Sequence, residues 1–76
     1  MTSGFPHPDR DRWLRAIFSA QAVLKGGVVR RSIGWVEAEI GRDALIDAVR
    51  ARGFHLFEAG GQFVIICNPG PVRLVC

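Results

Sequence analysis

The chain has 76 residues, 49% of them apolar and 22% charged, with a formal net charge of +3. That length allows one domain with a small interior, and the apolar share argues against disorder while exceeding what so small a core can cover. The charge is spread out, at +2 over residues 1–25, +1 over residues 42–53 and zero over the other two stretches, so no polybasic arm is present.

Residues 1–7 read as a flexible lead containing Pro6, with Phe5 as its one large apolar side chain. A first helix is expected over residues 8–25. Pro8 suits a first helical position, and Asp9 and Asp11 complement the positive end of the helix. Trp13, Leu14, Ile17, Gln21 and Leu24 recur at helical spacing, with Ala16, Ala20 and Val23 as a flank of smaller side chains. Gly26 and Gly27 stop the helix. Residues 28–31 read as a short strand. Ser32 is placed to cap a second helix over residues 33–40, which buries Ile33, Val36 and Ile40, with Trp35 beside them and Glu37 and Glu39 facing water.

Gly41 supplies a tight turn into a third helix over residues 42–52. Leu45, Ile46, Ala48 and Val49 form its core face; Asp43, Asp47, Arg50 and Ala51 point outward. Gly53 ends it. Residues 54–58 and 62–67 then pair as a hairpin about Gly60 and Gly61. A two-residue loop fixes the register. Phe54, Leu56, Phe63, Ile65 and Cys67 share one face and His55, Phe57, Val64 and Ile66 the other. The first face is expected on the helices. The second is also apolar, which is unusual for a sheet face meant for water. Residues 69–76 form a tail that starts with a Pro-Gly-Pro break. Val72, Leu74 and Val75 alternate with Arg73, so the tail is expected to fold back as a short strand or to pair with a neighbour.

Helix, strand, helix, helix, strand, tight turn, strand: this order over residues 8–68 resembles a winged helix-turn-helix domain. The resemblance implies an α+β fold of three helices and a small three-stranded antiparallel sheet. Gly26-Gly27-Val28-Val29-Arg30-Arg31 and Gly61-Gln62-Phe63-Val64-Ile65 also resemble segments of short bacterial hypothetical proteins. Some of those carry inherited enzyme names, including phosphoribosylanthranilate isomerase. Such an isomerase is a βα barrel of roughly 200 or more residues, which this chain cannot form.

No catalytic, cofactor or metal constellation can be assembled from the residue types and spacings. His7 and His55 are the only histidines, and Cys67 and Cys76 the only cysteines. Neither pair has the spacing of a zinc site. Cys67 follows three β-branched residues and reads as a buried strand residue. Gly26-Gly27 and Gly60-Gly61 lack the Lys-Ser/Thr pair of a phosphate loop. No apolar run reaches membrane-spanning length, and the start of the chain lacks the basic and apolar segments of a signal peptide. A reducing, cytoplasmic setting is expected, with neither a membrane nor a small-molecule substrate as partner.

Two functions compete. One is a non-enzymatic interaction module, a homodimer or a domain docking to another protein, through Val23, His55, Phe57, Val64 and Ile66. The other is a DNA-binding transcriptional regulator using Arg30, Arg31, Arg42 and Arg50. The second meets an objection in the sequence. A recognition helix presents basic or amide side chains to the groove, whereas this one presents Asp43 and Asp47, and the Gly-Gly wing carries no basic residue. The expectation is therefore the self-associating module.

Overall fold

The computed structural model describes residues 10–76. The lead over residues 1–7, with Phe5 and His7, and the expected helix start at Pro8 lie outside the described residues. The elements are α1 (Arg10–Phe18), α2 (Gln21–Leu24), β1 (Val28–Ser32), α3 (Ile33–Glu39), α4 (Arg42–Ala51), β2 (His55–Ala59) and β3 (Gln62–Ile66). Among the described residues, three substantial helices and one short helical turn thus accompany a three-stranded antiparallel sheet, in the order β1-β3-β2. The α+β class follows the expectation from sequence.

The expected single helix over residues 8–25 is corrected. The chain leaves helical geometry at Ala20, whose backbone is extended at φ −65° and ψ 154°. Ser19 turns its hydroxyl back to the Ala16 carbonyl at 3.4 Å, a local bond that competes with helix propagation. The break has a packing reason. It lets α2 pack against β1, and the Gly27 amide closes the end of α2 on the Ala22 carbonyl at 2.6 Å. Two consequences depart from the expected helical stripe. Phe18 enters the core, whereas Leu24 is 75% exposed.

The other helices keep the expected signals. The Ser32 hydroxyl accepts the Trp35 amide at 3.0 Å and caps α3. Gly41, at φ +98°, takes a backbone conformation open to few other residues and starts α4. Leu45 and Val49 of α4 are buried, as are Val36 of α3 and Ile40 just beyond it. They meet Ile17 and Phe18 of α1 and Val29, Phe63, Ile65 and Cys67 from one face of the sheet in one core cluster. Trp13 and Trp35 lock α1 to α3 edge to face, with ring centroids 5.1 Å apart.

Residues 69–76 form no strand, so that part of the expectation is corrected. Pro69 and Pro71 lack amides for a ladder. The tail does return towards the sheet. Asn68 Oδ1 accepts the Gly70 amide at 2.7 Å, and the Gly70 carbonyl lies 2.7 Å from His55 Nε2.

Candidate interaction surface

The hairpin decides which side chains meet water. Gly60 and Gly61 have φ of +58° and +76°, the pair of positive angles that a type I′ turn requires. The turn sets Ala59 opposite Gln62, and the ladder continues with Phe57 opposite Val64 and His55 opposite Ile66. On the other side of β3, Val28 is opposite Ile66 and Arg30 opposite Val64. Directly opposed residues share a face. The outer face therefore carries Val28, Arg30, His55, Phe57, Val64 and Ile66.

This face is apolar and incompletely covered. Phe57 is 45% exposed and Val28 44%, while His55, Val64 and Ile66 are half-buried. The tail skirts its β2 side, where Val72, Arg73 and Leu74 line a shallow cavity of about 410 Å³ with His55 and Phe57. Leu74, at 91% exposure, finds no cover there. Four of the five expected interaction residues are thus brought together. Val23 is not among them: it lies on α2, half-buried against the core. Val28 was missed because its side depends on the pairing of β1 with β3, and only the hairpin's own register could be read from its turn.

The four candidate arginines do not form one patch. Arg30 is on the outer face and exposed. Arg31 is directly opposite Phe63, on the helix-facing side of the sheet, and donates to the Arg30 carbonyl at 2.7 Å. Arg42 is engaged three ways. It donates to Glu58 at 2.6 Å and to Glu37 at 3.2 Å, and its guanidinium lies 5.0 Å from the Phe63 ring centroid. The hydrogen bonds it donates to Glu58 first and Glu37 second push its pKa up, so its charge is held by carboxylates. Arg50 is exposed near the end of α4 and pairs with no carboxylate among the described residues.

Between α4 and β2 runs an open groove of about 530 Å³, with an apolar lining that includes Ile46, Val49, Phe54 and Leu56 and with Arg42, Arg50 and Glu58 as charged members. Cys67 is a buried free thiol, pushed above its ordinary pKa by burial; Cys76 is exposed and free. Among the described residues, no group of three or more His, Cys, Asp or Glu is placed to hold a metal ion, and no helix is long and apolar enough to cross a membrane.

No protein-family model matches the sequence, and neither a curated protein nor a solved structure matches it significantly. Any functional reading therefore rests on the residues and their placement.

Proposed function

We propose that this chain is a non-enzymatic interaction module that associates with a second copy of itself through the outer face of its sheet. The observation that carries the reading is the exposure of Phe57 and Val28 beside Val64 and Ile66 on one continuous face. Burying such side chains gives about 1.5–3 kcal/mol for each large one fully covered. A two-fold contact uses the same patch on both partners and doubles that gain. The exposed Leu74 and Val75 beyond the face add apolar surface that the monomer leaves in water.

The frame is read as a winged helix, with α1, α3 and α4 as the three helices and the β2–β3 hairpin as the wing. The order of elements and the pairing of β1 with β3 support that arrangement. DNA binding ranks second. Asp43 and Asp47 on the exposed side of α4, the carboxylates on Arg42 and the absence of a basic residue at the Gly60-Gly61 tip all weigh against it. Sedimentation equilibrium from micromolar to millimolar concentration tests the leading reading. The wild type is expected to dimerise and Phe57→Asp to remain monomeric. A wild type that stays monomeric throughout overturns it. Retarded migration of DNA that Arg42→Ala with Arg50→Ala abolishes would move the second reading to first place.

A further inference from the structure

The two edges of the sheet differ in a way that points to how two copies meet. β1 is an edge strand blunted by Arg30 and Arg31, and α2 packs beside it. Charged side chains and covering elements are the usual protections of an edge. β2, the other edge, has the sequence His-Leu-Phe-Glu-Ala, without Lys, Arg or Pro, and its register with β3 runs unbroken by a bulge. Its one formal charge, Glu58, is tied back to Arg42 through Oε2 at 2.6 Å.

The turn fixes which backbone groups that edge offers. Ala59 and Gln62 close a two-residue loop as a hydrogen-bonded pair, so alternation aims the N–H and C=O groups of Phe57 and His55 at β3. Those of Leu56 and Glu58 point outward, along the groove beside α4. No backbone hydrogen bond reaches them among the described residues, and the tail touches β2 through the His55 side chain instead.

We propose that β2 is the strand through which two copies pair, antiparallel and about a two-fold axis at Phe57, so that the two sheets become one. This rests on the self-association argued above and adds its geometry. In that register Leu56 faces the partner's Glu58, and both residues carry outward backbone groups, so each pair exchanges two hydrogen bonds. The two Phe57 rings become direct cross-strand neighbours on the outer face. Charge complementarity selects the same register. The Phe54 amide bonded to the Val49 carbonyl at 3.1 Å holds the end of α4 over the start of β2. A Glu58 arriving opposite Leu56 therefore enters the groove at the end where Arg50 stands, a side chain without a carboxylate partner among the described residues. Arg42 uses Oε2 of Glu58, which leaves Oε1 to accept from the partner's α4.

Amide hydrogen exchange on the full chain, at tens of micromolar and at millimolar concentration, tests this beside sedimentation. In the dilute monomer the Leu56 and Glu58 amides are expected to exchange freely while those of His55 and Phe57 are protected. In the dimer all four are expected to be protected, with at least about a tenfold slowing at Leu56 and Glu58. Arg50→Glu, a change at an exposed position, should weaken the dimer about tenfold and lower the monomer's unfolding midpoint only slightly, through the reversed charge in the last turn of α4. A wild type monomeric at every concentration overturns both the self-association and this geometry. A dimer whose Leu56 and Glu58 amides stay fast overturns the edge pairing and leaves the face contact standing. Protection at those amides in the dilute monomer, or protection that extends to Val72 and Leu74 on dimerisation, assigns the edge to the tail and overturns the pairing. An unchanged dissociation constant in Arg50→Glu overturns the register.

Discussion

The two faces of the sheet are built from the same strands and from similar residues, yet they end in opposite environments. Phe63 and Ile65 lie within 1% of complete burial, whereas Phe57, opposite Val64 on the other face, is 45% exposed. Composition does not separate them, because β3 reads Phe-Val-Ile-Ile through its core and both parities are apolar. What separates them is that α1, α3 and α4 pack on one side only. The cover on the other side amounts to the tail, which is anchored by the hydrogen bond between His55 Nε2 and the Gly70 carbonyl. A sheet with two apolar faces and helices for one is an incomplete structure in energetic terms, and the second face is where a partner gains most.

Substitutions can break that comparison or sharpen it. Phe63→Ala should cost about 3–5 kcal/mol by urea unfolding, a large share of the stability of so small a domain. Phe57→Ala should cost the monomer no more than about 1 kcal/mol while it weakens association. Equal losses for the two would erase the distinction between the faces. A smaller effect is expected at the turn that sets the register. Gly61→Val, at φ +76°, should destabilise by about 1–2 kcal/mol and broaden the hairpin amide resonances, because a β-branched side chain is strained there. Ser32→Ala should cost about 1 kcal/mol through the lost cap of α3 and leave the dissociation constant unchanged; a weakened dimer would place Ser32 in the interface.

The smallest effect is at alkaline pH. Burial raises the folded pKa of Cys67 above its ordinary value of 9.0. The unfolded thiol therefore ionises first, and stability is full below 9.0 and falls as pH rises through the interval up to the folded pKa. Cys67→Ala should remove that component of the alkaline loss. A wild type and variant with parallel pH profiles would show that the thiol is not desolvated.

Much of this was legible in the sequence for local reasons. The Ser32 cap, Gly41, Gly53 and the Gly60-Gly61 turn are single-residue signals with one structural meaning each, and α3, α4 and the hairpin register follow them. The break at Ala20 was not legible. Residues 10–25 keep helical spacing throughout, and the gain that stops the helix is a tertiary one, the contact of α2 with β1. The outer face was read for the hairpin and missed at Val28, since pairing between strands separated by two helices is not encoded in a turn. The engagement of Arg42 with Glu58 was equally invisible, because it joins residues 16 positions apart.

That arginine has a consequence for motion. Arg42 opens α4, reaches Glu37 on α3 and Glu58 on β2, and lies against the Phe63 ring on β3. As exposed ion pairs these contacts contribute little to global stability. They do pin the free end of the hairpin to the end of α3. Lysine at this position keeps the charge but lacks the fork that serves two carboxylates at once. High salt loosens the same pin by screening. In either case β2 should move more freely against α3 and α4, while the Ile33 amide on the Gly61 carbonyl at 3.0 Å still holds the hairpin tip to the start of α3.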